Sequence, residues 1–140
     1  MAKNRWNDKA ILKKIRRHYS DKMLLACEFL EGDMKARASG QYGDNLRAVD
    51  EGEYIGSFNH EVKTKGTEII GSVANSSGHG PYIEFGTGEL AENGLGRKGG
   101  WFFRDKKGKL RFTLGMKPRP IMRSALIESK RFLQQIFDVR

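Results

Sequence analysis

The sequence predicts an α+β fold: a long N-terminal helix, an antiparallel sheet of about four strands from two hairpins, and a C-terminal helix packed on that sheet. Three observations carry this. Apolar residues recur every three or four positions from Ile11 to Met34, the stripe of an amphipathic helix. Two stretches, 54–74 and 101–114, place β-forming residues on either side of a glycine-containing turn. A proline-led segment after Lys117 opens a second apolar run at helical spacing.

The first stripe consists of Ile11, Ile15, Tyr19, Met23, Ala26, Leu30 and Met34. Asn7 or Asp8 can cap its start, and Trp6 is placed to staple back onto the first turn. The pattern fades near Ala38, before Ser39-Gly40, and Gly32 is the place where it can dent. Some 30 residues at 1.5 Å each give a helix of roughly 45 Å. That is long for so small a chain. Its first half, with Lys9, Lys13, Lys14, Arg16 and Arg17, is expected on the surface or against a neighbour, behind an arm of residues 1–9.

Residues 39–52 are glycine-rich and polar and are expected to form a mobile loop. From Tyr54 to Lys63 the residues Tyr54, Phe58 and Val62 fall on one face of a strand, with Gly56 and His60 between them. Lys65-Gly66 turns the chain, which returns from Thr67 to Ala74 through Ile69, Ile70 and Val73. Asn75 to Gly80 breaks the pattern. Residues 81–88 fit a short strand or a helical turn, since eight residues are too few for periodicity to separate the two. Glycines at 88, 94, 96, 99 and 100 mark a second mobile loop over 88–100. Trp101-Phe102-Phe103 and Leu110 to Leu114 then flank a turn across Asp105 to Gly108. Pro120 suits a first helical turn, and Ile121, Ala125, Ile127 (or Glu128), Phe132 and Ile136 supply the apolar face of the final helix.

With 140 residues, 15.9 kDa and 38% hydrophobic residues, the chain is expected to form a single domain, 1–140, with a modest core. Its mean hydropathy is −0.62, and no apolar run approaches the ~20 residues that cross a bilayer. Nothing after the basic N-terminus reads as a signal peptide. The single cysteine, Cys27, excludes an internal disulfide and a multi-cysteine zinc site. These features predict a soluble protein made in the cytoplasm.

The net charge of +9 is unevenly spread. Residues 1–22 hold eight basic and two acidic side chains, and residues 97–123 hold ten basic side chains against Asp105 alone. Residues 28–68 reverse the balance, with nine acids against five bases. Such a chain can meet a polyanion, meet copies of itself through complementary patches, or simply carry a solvated basic surface.

The residues offer little for catalysis. His18, His60 and His79 are too scattered for a metal box, and no nucleophile elbow, phosphate-cradling loop or paired metalloprotease histidines occur. Cys27 lies among apolar neighbours, as a buried structural thiol does. Glu84, between Ile83 and Phe85, lacks the second carboxylate or histidine an acid catalyst needs, so a hydrogen-bonding role is expected. The chain does not read as an enzyme, and no cofactor or metal is implied. The second hairpin mixes Trp101, Phe102, Phe103 and Phe112 with Arg104, Lys106, Lys107, Lys109 and Arg111. Aromatics among cations can stack bases and track phosphates, or they can alternate between core and solvent.

Two segments, Pro81-Tyr82-Ile83-Glu84-Phe85-Gly86-Thr87 and Pro118-Arg119-Pro120-Ile121 with Ala125-Leu126, carry a resemblance. In them the chain resembles the small neck and tail-completion components of long, non-contractile-tailed phages and their prophages. That family shows an N-terminal helix, a strand region, a Glu-Phe-Gly-Thr segment and a proline-centred helix start; Ile121 stands where phenylalanine is commoner. The order of elements agrees over roughly residues 10–137 and departs at 39–58.

The resemblance implies a structural virion component of the neck or tail end, made in the host bacterial cytoplasm. It implies a homo-oligomeric ring, commonly of six subunits, that joins other neck and tail proteins, with no membrane partner. Tyr82, Glu84, Phe85, Gly86, Thr87, Pro118 and Pro120 become signature residues. Phe85 is expected to anchor in the core, and Glu84 to pair with an arginine, of its own chain or a neighbour's. Arg97, Lys98, Arg104, Lys106, Lys107, Lys109 and Arg111 become candidates for contact with the next subunit or, non-specifically, with DNA in the channel. The alternative is a stand-alone basic nucleic-acid-binding protein using residues 1–22 and 97–123.

Overall fold

The computed structural model describes residues 7–48 and 52–138. The first helix, α1, spans Asp8–Ser39. Asn7 starts it by accepting the Ala10 N–H on its side-chain oxygen, at 3.2 Å. Gly40, left-handed at φ 91, ends it. Asp8 and Lys9 thus belong to the helix and not to an arm, while Trp6 and its expected staple lie outside the described residues. Gly32 leaves the helix unbroken.

Only part of the apolar stripe is used. Ala26, Cys27, Leu30, Met34 and Ala38 are buried, whereas Ile11, Leu12 and Ile15 remain exposed. The basic first half therefore lies on the surface, as its charge suggests.

The loop after α1 contains a 3-10 turn at Asp44–Leu46, and its residues 49–51 lie outside the described set. A short helix, α2, follows at Glu53–Gly56. It takes Tyr54 out of the expected first strand, buried with its ring edge-on to Phe58 at 5.1 Å. Strands β1 (Phe58–Lys65) and β2 (Glu68–Asn75) pair antiparallel from Phe58↔Asn75 to Lys65↔Glu68. Their inward residues, among them Phe58, Val62, Ile69 and Val73, alternate with exposed ones, the pattern of a sheet covered on one side. α1 supplies the cover. It approaches so closely at Gly71 that a Cβ there would lie 2.5 Å from the Cys27 sulfur.

Helix α3, Gly80–Phe85, settles the ambiguous segment as helical up to Phe85, and a 3-10 turn follows at Gly88–Leu90. Strands β3 (Trp101–Arg104) and β4 (Leu110–Thr113) form the second hairpin, and α4, Ile121–Phe137, follows Pro120.

The α+β class holds, but the expected single sheet does not form: the two hairpins make two separate sheets of two strands each. The second is tied by backbone bonds to the segment after α3, Thr87 N–H to Met116 O and Glu89 N–H to Leu114 O, and not to an edge of the first. The C-terminal helix packs chiefly on α1, and its Ile121 and Ala125 share the core with Phe58 of β1. Phe29 meets Phe132 with ring centroids 4.4 Å apart, and Arg37 reaches Glu128 at 2.8 Å, so the two helices run antiparallel. α4 buries Ile121, Ala125 and Ser129, a strict four-residue step; Ile127, expected inside, is exposed.

The core gathers around the second half of α1. Leu30, Met34 and Ala38 meet Tyr54, Phe58, Ile83, Ile121 and Ala125 there. Two polar features sit within it. Arg37 is buried against Asp33 at 2.8 Å, and Asp33 also accepts the Tyr42 hydroxyl. The Tyr54 hydroxyl has no hydrogen-bond partner among the described residues, and burial pushes its pKa up to about 12.

Candidate interaction surface

The two signature segments, more than 30 residues apart in sequence, meet in one join. Glu84 is buried at the end of α3 and aims at the start of α4. Pro120, at the cap position of α4, offers no side-chain acceptor, so the free amides of its first turn need one from elsewhere. Glu84 Oε2 accepts the Met122 N–H at 3.1 Å, and Oε1 accepts the Arg123 N–H at 3.0 Å and its Nε at 3.2 Å. A carboxylate on helix N-terminal amides is favoured by both hydrogen bonding and the helix dipole. Glu84 therefore pairs with an arginine of its own chain.

Arg123 extends the join. Its guanidinium bonds both oxygens of Glu92, at 3.0 and 2.8 Å, and lies 4.9 Å from the centre of the Phe85 ring. Glu92 is the main reason the arginine is held above its ordinary pKa, and Arg123 in turn lowers that of Glu92. Phe85 is half exposed under this cation and does not anchor in the core. Ile83 takes that place, because a helical α3 turns residue 83 inward and residue 85 outward.

Thr87 closes the join twice: its N–H donates to Met116 O, and its Oγ1 accepts the Met116 N–H, both at 2.9 Å. At Gly88, φ is +62 and a Cβ would stand 2.2 Å from the Leu114 carbonyl oxygen, so only glycine fits. Gly86 is likewise at positive φ and abuts Pro118. Tyr82 is exposed on α3. Six of the seven signature residues thus fall in one structural lock, and Tyr82 faces outward. Sequence reading missed Arg123 and Glu92 as its partners; an arginine in the first turn of a helix without its own cap was the available signal.

The basic hairpin is a different surface. Arg97 lies over the Trp101 ring at 5.5 Å, and Arg104 donates to Gly108 O. Asp105 orders the turn by accepting the Lys107 and Lys109 amides, and Arg111 pairs with it at 3.0 Å. The Lys109 amide, followed by Arg111, lowers the Asp105 pKa. Lys98, Arg97, Arg104, Lys106, Lys107, Lys109 and Arg111 are all exposed. So are Phe102, Phe103, Leu110 and Phe112, on both faces of the hairpin. The aromatics therefore do not alternate between core and solvent. Apolar side chains and cations stand together on a projecting hairpin.

Other candidates disperse. His18 lies on α1, His60 on β1 and His79 in the turn before α3, His60 bonding Glu31 beside Lys35. Among the described residues no cluster of three or more histidine, cysteine or acidic side chains could hold a metal, and no helix is long and apolar enough to cross a membrane. Cys27 is buried, and burial raises its thiol pKa. Comparison with protein-family models, curated proteins and solved structures finds no match for this chain.

Proposed function

We propose that the chain is a structural subunit that assembles with copies of itself, of the neck or tail-end kind that its two signatures imply. The observation that supports this best is the uncovered apolar surface of the β3–β4 hairpin. Phe102 stands 67% exposed and Phe112 54% exposed on a chain whose charge would otherwise favour dispersal. The signature lock supports the reading in a second way. By capping α4 and tying residues 114–116 to 87–89, it holds the root of the hairpin and so presents it rigidly. In this role the chain is no enzyme; it supplies shape and contact surface in a virion, next to other neck and tail proteins.

A second reading, nucleic-acid binding, draws on the same hairpin, because exposed Phe102, Phe103 and Phe112 stand among cations. Light scattering of the purified chain, with and without a short DNA duplex over a salt series, separates the two. A species near six subunits of 15.9 kDa that ignores DNA supports the structural subunit. A monomer that takes up DNA at low salt and releases it at high salt supports the second reading. The virion role is tested by immunogold labelling of purified phage particles. Label at the head–tail junction is expected, and particles free of the chain would refute it.

A further inference from the structure

The register of the second hairpin puts Phe102 beside Phe112 and Arg104 beside Leu110, all four on one face. The two rings touch each other, with centroids 5.2 Å apart, and among the described residues both stay more than half exposed. Arg104 places its cation on this face and Lys107 stands exposed in the adjoining turn; neither makes an ion pair among the described residues, whereas Lys109 lies on the opposite face with Asp105 and Arg111. An apolar face with a cationic rim calls for an occupant that is apolar and acidic.

The chain carries such a surface elsewhere. Asp21, Leu25 and Phe29 follow one another at four-residue steps along the outward side of α1, with Glu28 three residues after Leu25 on the same side, and Phe132 of α4 packs against Phe29. Leu25 is 53% exposed, and neither Asp21 nor Glu28 makes an ion pair among the described residues. The ridge and the hairpin face are thus both apolar, opposite in the sign of their free charges and different in shape. Two hairpin faces set against each other would bring cations onto cations, which disfavours a two-fold pairing of like surfaces.

We infer that the hairpin of one copy seats Phe102 and Phe112 on Leu25, Phe29 and Phe132 of a second copy, with Arg104 and Lys107 turned to Asp21 and Glu28. The contact is heterologous: each copy offers its hairpin to one neighbour and its ridge to another. Such contacts close into a ring or continue as a filament according to the rotation between copies. This inference rests on the self-assembly reading and names its two surfaces.

A charge swap followed by sedimentation velocity tests it. One variant carries Arg104→Glu with Lys107→Glu, the other Asp21→Lys with Glu28→Lys; all four residues are exposed, and circular dichroism checks that each variant folds. Each variant alone is expected to associate about tenfold more weakly than the wild type at physiological salt. An equimolar mixture is expected to recover association, because the acidic hairpin of the first meets the basic ridge of the second. If both variants associate like the wild type, the two surfaces are wrong and self-assembly stands. If each loses association and the mixture does not recover it, the pairing of hairpin with ridge is overturned. A wild type that stays monomeric at its highest soluble concentration overturns the inference, and uptake of a DNA duplex by that monomer, lost in Arg104→Glu/Lys107→Glu, assigns the hairpin to nucleic acid instead.

Discussion

Glu84→Ala tests the join on which the candidate surface stands. The carboxylate is 8% exposed and serves two amides of α4, Met122 at 3.1 Å and Arg123 at 3.0 Å, that no residue of the helix's own cap can reach. A buried N–H left without an acceptor costs about 1–3 kcal/mol. Two of them at the first turn, where water can enter the space left by truncation, place the cost near the lower half of that range each, roughly 3 kcal/mol together. Loss of a carboxylate from a helix N-terminus adds about 0.5–1 kcal/mol. Arg123 contributes little to the sum, because its guanidinium is 40% exposed and keeps Glu92. The expected loss is therefore about 3–4 kcal/mol. Urea unfolding followed by circular dichroism reads it as a lower midpoint at unchanged slope, a drop of about 2 M for a slope near 2 kcal/mol/M. Glu84→Gln keeps one oxygen but turns an NH2 toward one of the amides, so it should lose about half as much. A Glu84→Ala protein within about 1 kcal/mol of the wild type would refute the capping argument.

Three further outcomes follow from the same geometry. Gly88→Ala should cost about 3 kcal/mol or more, because its Cβ would meet a backbone carbonyl oxygen at 2.2 Å; Gly66→Ala, at nearly the same φ but with open space around it, should cost only about 1–2 kcal/mol. Thermal melts compare them, and equal losses would contradict the steric reasoning. Tyr54→Phe removes the unpartnered hydroxyl and should stabilise by about 1 kcal/mol at pH 7. Its second signature is alkaline: the folded phenol titrates at about 12 against 10.0 unfolded, so wild-type stability is full below pH 10 and falls toward pH 12, a component the variant lacks in pH-dependent denaturation. Arg37→Met strands the Asp33 carboxylate in the core and should cost about 3–5 kcal/mol, whereas adding Asp33→Leu should recover most of it, as a double-mutant cycle measures.

What the sequence made legible is local. The Asn7 cap, the stop at Gly40, the turn after Lys65 and the start of α4 at Pro120 each depend on residues within a few positions, and each appears where its chemistry puts it. What depends on distant partners was not legible. Ile11 and Ile15 have the same spacing as Leu30 and Met34, so periodicity cannot tell which half of α1 a core will cover. Two hairpins in sequence do not say whether their edges meet, and here the signature lock holds the second away from the first. Tyr54, a strand former by type, sits in a helical turn because its ring fills the core beside Phe58. Choosing Phe85 over Ile83 as the anchor required knowing that the segment is helical, which eight residues could not decide.

Charge and burial divide this molecule in a way that bears on its partner. The core surrounds the second half of α1, while both basic blocks, the first half of α1 and the β3–β4 hairpin, project with apolar side chains uncovered. A net +9 keeps copies apart at low ionic strength, where the repulsion reaches far. At physiological salt the Debye length falls to about 8 Å, so whole-molecule repulsion fades while apolar contacts and the closest ion pairs persist. Association between copies should therefore survive, and even gain, as salt rises from very low values. Binding to a polyanion moves the other way, because it draws on counterion release and weakens steadily with salt. The two readings of one hairpin thus differ in the sign of their response to ionic strength: contact between copies draws on the apolar side chains Phe102, Leu110 and Phe112, which salt does not screen, and binding of a polyanion draws on the cations around them, which salt does.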